Sequence, residues 1–124
     1  MKKKPTLKTL RNKTDKLLSP IVKLQDPVCL LCSKPTQVGH HFIKKSTSSR
    51  LRYELSNIIN LCNPCHCALH HNESYYSSKI IAIKGLEWFE ELEKIKNDYN
   101  KVDRYFYEEN YTKLKEQLDD LSDM

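Results

Sequence analysis

The sequence lacks any long apolar run, and this argues against a membrane-spanning protein. No stretch approaches the roughly 18 apolar residues that a spanning helix needs. Three lysines (Lys2, Lys3 and Lys4) stand near the start, but polar residues interrupt the segment after them, so we expect no secretory signal. Internal repeats are also missing. The 124 residues predict one soluble domain with helical extensions, intracellular and cytoplasmic, in the host cytoplasm if the protein is viral.

Acidic residues are almost missing from the first part of the chain. Residues 1–53 contain 13 Lys and Arg against only Asp15 and Asp26, whereas residues 54–124 contain 8 against 14 acidic residues. Such a cluster of positive charge attracts a polyanion at long range, and nucleic acid is the expected partner. The alternative is a solvated basic segment that serves solubility.

Large apolar side chains are few in residues 28–72, too few to hold a fold by burial alone, so this segment needs a covalent or metal crosslink. We predict three parts: a basic N-terminal arm (1–27), this core (28–72) and a C-terminal helical extension (73–124). Within the arm, residues 6–18 show weak helical periodicity and form either a short helix or a flexible segment.

Four of the five cysteines form two Cys-x-x-Cys pairs, Cys29 with Cys32 and Cys62 with Cys65. Each pair lets two thiolates face one ion, so together they can hold one tetrahedral structural Zn²⁺. An odd number of cysteines without a secretory signal favours zinc in a reducing compartment, with a disulfide or redox pair as the alternative. Cys67 is left over as a small helix residue or a free thiol.

Alternating and punctuating residues predict the order strand, loop, strand, helix within the core. The strands are expected at 37–44 and 50–55, because Leu51, Tyr53 and Leu55 alternate with polar residues. Pro64 follows an N-cap residue, Asn63, and predicts a helix that runs to about residue 71.

Four histidines have the spacing of a metal site. His66 and His70 lie four residues apart on the predicted helix, so their side chains share one face and can bind one ion. His40 and His41 are neighbours on a strand and point to opposite sides. One of them can therefore ligate the metal while the other faces substrate.

The residues of 29–71 resemble the HNH endonuclease family, which has a ββα-metal core. The order, the two-residue gaps, the four residues between Asn57 and Cys62 and the Cys-His junction agree with the zinc-stapled branch of that family. The resemblance rests on Cys29, Cys32, His40, His41, Asn57, Cys62, Cys65, His66 and His70. The His-Phe-Ile-x-Lys-Ser stretch from His41 and the later Leu-Arg-Tyr also look like phage-type recombination nucleases of the NinG kind.

The resemblance implies a small α+β fold, a zinc-stapled ββα-metal (His-Me finger) core, and a role for each residue. His40, His66 and His70 match the ligands of one catalytic divalent metal (Mg²⁺, Mn²⁺, Ni²⁺ or Zn²⁺), and His41 matches the general base. Asn57 matches the asparagine that braces the loop and orients the base. The four paired cysteines match the structural zinc ligands.

The resulting function prediction is a metal-dependent endonuclease that hydrolyses DNA. A histidine near its usual pKa of about 6.5 is largely neutral at physiological pH and can accept a proton from water. Lys44, Lys45, Arg50 and Arg52 lie near the histidine pair and are candidates for binding phosphates. The alternatives are an inactive HNH core, a non-catalytic zinc-dependent nucleic-acid-binding module and an accessory subunit of a larger complex.

Residues 79–124 lack proline and are expected to be wholly helical. An apolar stripe runs along them, first through Trp88, Leu92, Ile95, Tyr99 and Val102, and then through Tyr111, Leu114, Leu118 and Leu121. Such a stripe either packs on the core or forms a heptad seam that joins the chain into a homodimer or larger complex.

Overall fold

A computed structural model describes residues 3–98 and 100–123 of the chain. In these ranges a two-stranded sheet is surrounded by five helices. The elements are α1 (Leu7–Gln25), β1 (Val38–His41), two 3₁₀ turns (Arg50–Tyr53 and Leu55–Asn57), β2 (Ile58–Leu61), α2 (Asn63–His71), α3 (Glu73–Lys84), α4 (Leu86–Lys96) and α5 (Arg104–Ser122). The predicted α+β class is confirmed. Within the described ranges, every helix is too short or too polar to cross a membrane.

The strand β2 lies at the centre of the fold, and all four of its residues are buried. It pairs antiparallel with β1, with His40 opposite Ile59 and His41 opposite Ile58. Because successive strand residues face opposite sides, Ile58 packs with apolar residues of α1 while Ile59 and Leu61 pack with residues of α2 and α3. The sheet is therefore covered on both faces.

The predicted second strand at 50–55 is wrong. The 3₁₀ turns occupy these residues, and the strand begins only at Ile58. Leu51 and Tyr53 are both buried, so their alternation reflects burial within a turn. The Leu51 N–H donates to the Ser48 hydroxyl, and the Leu51 carbonyl accepts from Asn57 Nδ2 and from the Glu54 N–H of the same turn. Neither group takes part in a strand ladder. The predicted strand at 37–44 is confirmed only for Val38–His41.

The helix α1 has 19 residues and is longer than the predicted 6–18. The Thr6 hydroxyl caps its N-terminus by accepting a hydrogen bond from the Thr9 N–H. Its apolar side packs against α5, with Leu10 and Leu18 in one cluster with Leu114. The segment assigned to a basic arm thus contains a helix packed on the fold, and the three-part division of the chain stays a prediction.

The predicted continuous helix from residue 79 is wrong, because α3, α4 and α5 are separate. The helical conformation is interrupted at Gly85, whose φ of +102° is a conformation that favours glycine. It breaks again between the end of α4 at Lys96 and the start of α5 at Arg104. By contrast, the predicted helix at 63–71 is confirmed, with Pro64 in its first turn.

The C-terminal apolar stripe packs within the chain. Leu92, with Trp88 and Ile95, contacts the cluster around Ile43 and Leu51. Val102, Tyr111, Leu114, Leu118 and Leu121 pack in the cluster shared with α1. Tyr99 lies outside the described residues. These contacts occupy the stripe, and self-association through it stays a prediction.

Replacing Gly39 by alanine should destabilise the fold. A Cβ at Gly39 would meet Ile58 Cγ2 at 2.6 Å and Val22 Cγ2 at 3.4 Å, so α1 and β2 leave no room for a methyl group. Overpacking of this kind costs about 1–3 kcal/mol, to be measured by urea denaturation. Ser78→Ala on an exposed part of α3 is the control and should change the free energy of unfolding little. An unchanged stability of Gly39→Ala would contradict the close packing of α1 on the sheet.

Candidate metal centre

The four paired cysteines meet at one end of the sheet. Cys29 and Cys32 lie in the turn before β1, where the Cys29 N–H donates to the Lys34 carbonyl at 2.7 Å. Cys62 follows β2 directly, and Cys65 stands in the first turn of α2. The four Sγ atoms lie within 4.8 Å of one another, and Cys32 Sγ is 3.4 Å from Cys62 Sγ. Zinc bound by four thiolates needs S···S separations of about 3.8 Å, so the residues fit a structural zinc site.

The four thiols of this cluster lie so close together that each one affects the ionisation of the others. Burial raises the pKa of Cys29, but hydrogen bonds from the backbone N–H groups of Cys62, Leu31 and Cys32 lower it by more. The pKa of Cys29 is therefore about 7. Burial and hydrogen bonds with the other three thiols raise the pKa of Cys65. Four adjacent thiolates therefore need a cation between them, which agrees with a Zn²⁺ site.

Three of the predicted histidines form a second cluster. His40 on β1 faces His66 and His70 on α2, with ring centroids 5.1 Å and 5.7 Å away. One ring nitrogen of each lies within 4.8 Å of the others, and the two Nε2 atoms of α2 are 3.0 Å apart. Two imidazoles on one ion at about 2.1 Å place their nitrogens about 3.0–3.4 Å apart, so this set fits a divalent metal.

Electrostatics favour the neutral imidazoles that a metal requires. Burial and the neighbouring histidines lower the pKa of His40 to about 4. Burial and His70 also lower the pKa of His66. Both rings are therefore uncharged at neutral pH and offer a lone pair to a metal ion.

His41 points away from the three-histidine cluster and contacts the backbone of the 3₁₀ turn. Its Nε2 lies 2.9 Å from the carbonyl oxygen of Arg52. Because a carbonyl only accepts, Nε2 carries the proton, and Nδ1 of the neutral ring keeps a lone pair. Burial lowers the pKa of His41 more than this hydrogen bond raises it, so the neutral form dominates at pH 7.

The predicted metal ligands His40, His66 and His70 line one groove of about 500 Å³ together with His41. Helix α1 forms one wall, and the start of α3 with the loop after β1 forms the other. Its lining comprises Asp15, Leu18, Ser19, Gly39, His40, His41, Lys44, Lys45, His66, His70 and Glu73. Lys44 and Lys45, two of the predicted phosphate-binding residues, therefore lie beside the histidines, with Lys44 Nζ 3.4 Å from Glu73.

The two predicted phosphate-binding arginines have intramolecular partners. Arg52 binds the Asp15 carboxylate through two nitrogens, with Nε donating to Oδ1 at 2.9 Å. Arg50 donates to the Asn100 carbonyl at 2.7 Å and lies over the Phe106 ring. Neither arginine is among the described residues that line the groove. Their role in phosphate binding stays a prediction.

Asn57 is fully buried and braces the loop between β1 and β2. Its Oδ1 accepts from the Ile43 N–H at 2.8 Å, while its Nδ2 donates to the carbonyls of Ile43 and Leu51 at 3.0 Å and 3.2 Å. Every polar atom of the side chain has a partner, which is what a buried amide requires. The loop bracing expected for Asn57 has this geometric basis.

Sequence reasoning missed two residues that shape the site. Asp15 on α1 holds the side chain of Arg52, whose carbonyl contacts His41. Asn60 donates from Nδ2 to the Val28 carbonyl at 2.6 Å and fixes the turn that carries Cys29. Each residue has a signal in the sequence. Asp15 is one of only two acidic residues in the basic stretch 1–53, and Asn60 is a polar residue inside an apolar strand.

Comparison with known proteins places nearly the whole chain in one family. The family model described as "NinG: Bacteriophage Lambda NinG protein" matches residues 1–123. The match therefore includes α1 and α5 as well as the two clusters. No curated protein and no solved structure matches the chain.

Removing one ligand of the cysteine cluster should release its metal. Cys32→Ser is expected to bind one zinc ion fewer than the wild type and to melt at a much lower temperature, because structural zinc sites contribute about 10 kcal/mol to folding. Metal analysis and thermal denaturation measure both effects. Cys67→Ser is the matched control, since this exposed thiol lies outside the cluster in the part of the chain that the structure describes. A zinc content of Cys32→Ser equal to that of the wild type would contradict the assignment.

The ion pair of Asp15 with Arg52 should stabilise the fold in a pH-dependent way. Burial raises the pKa of Asp15, but the hydrogen bond and charge of Arg52 lower it more, so its pKa is below the usual 3.8. The pair therefore stabilises the protein above about pH 4 and is lost as pH falls through the lowered pKa. Asp15→Asn should cost about 1–2 kcal/mol at pH 7, and urea denaturation measures this.

At pH 3 the free energy of unfolding of Asp15→Asn should be closer to that of the wild type than it is at pH 7. Asp26→Asn is the control, because Asp26 forms no ion pair within the described ranges. A stability difference that stays constant from pH 7 to pH 3 would exclude this carboxylate as its source.

Proposed function

The chain belongs to the NinG family, and on that premise we propose that it is a metal-dependent HNH-type endonuclease that hydrolyses phosphodiester bonds in DNA. The observation that carries the proposal is the placement of His41. His41 lines the same groove as the three-histidine cluster and two lysines, and its Nε2 is engaged by the Arg52 carbonyl, which leaves the lone pair on Nδ1.

The proposed role of His41 is that of general base. Phosphodiester hydrolysis needs a water molecule that loses its proton while attacking phosphorus. The lone pair on Nδ1 accepts this proton, and the ring then becomes an imidazolium. The Arg52 carbonyl, which already accepts from Nε2 at 2.9 Å, stabilises the positive ring and fixes its orientation.

The proposed metal ligands are His40, His66 and His70. A divalent ion held by them would keep coordination positions open and would neutralise charge on the phosphate and on the leaving oxygen. Imidazole ligands are softer than carboxylates, so Mn²⁺, Ni²⁺ or Zn²⁺ should bind more tightly than Mg²⁺.

The proposed phosphate contacts come from the loop after β1. Lys44 and Lys45 are exposed and line the groove beside His41. Lysines at such positions hold the backbone in place without reading its sequence. The resemblance to HNH nucleases implies products with a 5′-phosphate and a 3′-hydroxyl.

Replacing the base tests the proposal on supercoiled plasmid. Protein that keeps its structural zinc but has been stripped of weaker metals should nick the plasmid when Mg²⁺, Mn²⁺, Ni²⁺ or Zn²⁺ is added back. His41→Ala should nick at least about 100-fold more slowly, because general-base catalysis contributes that much or more. The variant should retain its zinc and its affinity for DNA.

The control is His71→Ala, which removes an exposed histidine at the end of α2 and should leave nicking unchanged. Full activity of His41→Ala would remove the histidine from the mechanism. Absence of cleavage with every metal, together with salt-sensitive DNA binding, would instead favour the non-catalytic binding module.

A further inference from the structure

Helix α1 is a wall of the groove as well as a support for the core. Asp15 and Ser19 line the groove, with the buried Leu18 at the border between this side of α1 and its core-facing side, which places one side of α1 next to the histidines. The opposite side, with Leu10 and Ile21, is buried against the rest of the fold. Any polymer whose scissile bond enters the groove therefore passes close to the groove-facing side of α1.

Three exposed lysines continue that side. Lys8, Lys16 and Lys23 fall within a sector of about 80° on a helix that turns 100° per residue, and the sector includes Ser19. None of the three has an acidic partner at salt-bridge distance in the part of the chain that the structure covers. We call Lys8, Lys16 and Lys23 the α1 lysine stripe.

The charge of the stripe is not cancelled by its surroundings. Asp15, the one acidic residue within α1, is occupied by both donors of Arg52. Across the groove Lys45 adds positive charge, while the charge of Lys44 is paired with Glu73 at 3.4 Å. The acidic residues are concentrated in residues 54–124, which include α4 and α5. A polyanion is therefore attracted to the groove from the side of α1.

The dimensions and composition of α1 fit the backbone of a duplex. Lys8 and Lys23 lie 15 residues apart, about 22 Å along the axis at 1.5 Å per residue. Phosphates along one strand of a duplex are spaced at about 3.4 Å of axis, so the stripe spans roughly six to seven base pairs. Proteins that bind single strands add aromatic side chains on which bases stack, and α1 contains none.

We propose that the α1 lysine stripe binds the sugar-phosphate backbone of duplex DNA beside the scissile bond. This inference rests on the proposed function for the class of polyanion. The contacts are electrostatic and carry no sequence code. They set the position of the duplex against the groove, while the histidines act on one phosphate within it.

The test compares two triple variants with the same change in charge. Lys8→Ala/Lys16→Ala/Lys23→Ala removes the stripe, and Lys79→Ala/Lys84→Ala/Lys101→Ala removes three exposed lysines from elsewhere in the described chain. Binding to a fluorescein-labelled 20-base-pair duplex is measured by anisotropy from 50 to 300 mM salt, without added divalent metal. Circular dichroism and thermal melting confirm that both variants fold like the wild type.

The stripe variant should bind the duplex about 10- to 100-fold more weakly at 100 mM salt. The slope of log K against log salt should become less steep by up to about 2.7, since each neutralised phosphate contributes about 0.9. The control variant should keep the wild-type slope. An unchanged slope in the stripe variant, or an equal loss in both variants, would overturn the proposal. A larger loss for a single strand of the same length would overturn the assignment to a duplex.

The outcomes separate this inference from the proposed function. If the wild type nicks plasmid but the stripe variant binds duplex DNA as well as the wild type does, the nuclease proposal is supported and the proposal for the α1 lysine stripe is rejected. If duplex binding depends on the stripe but the protein nicks plasmid with none of the added metals, the proposal for the stripe is supported and the nuclease proposal is rejected.

Discussion

The buried amide of Asn57 is the interaction on which the candidate site depends. It joins Ile43, just beyond β1, to Leu51 in the 3₁₀ turn and so closes the intervening loop. Arg52, which follows Leu51, is thereby held where its carbonyl reaches His41. Loss of either end of the amide would leave buried backbone groups without partners, which is costly. The orientation of the proposed base thus follows from one fully satisfied side chain.

The two metal clusters depend on each other through α2. Cys62 and Cys65 fix the start of this helix, and His66 and His70 follow within its next turns. The core around Ile59, Leu61 and Leu69 is small, so burial alone holds α2 weakly. Zinc bound by the four cysteines would therefore also fix how closely the helix histidines approach His40. The same few residues carry the stability of the fold and the geometry of the proposed chemistry.

The sequence predicted the clusters better than the elements between them. Cysteine pairs and an i, i+4 histidine pair are local patterns, and the start of α2 has a local signal in Pro64. The second strand was misplaced because Leu51 and Tyr53 are buried in a 3₁₀ turn that has the same alternation as a strand. The contact of Asp15 with Arg52 joins residues 37 positions apart and has no local signature. Tertiary packing therefore decided what the pattern left open.

The pairing of α1 with α5 joins elements from the two ends of the described chain. A hydrogen bond from Arg104 to the Pro5 carbonyl at 2.7 Å reinforces the packing of Leu10 and Leu18 against Leu114. During synthesis α1 leaves the ribosome long before α5, so the apolar side of α1 stays uncovered while the cysteine and histidine segments are made. Contacts between such distant segments form late and slowly. The sheet can hold α1 through Ile58 and Val22 before then, but the burial of Leu10 and Leu18 is complete only once α5 has docked.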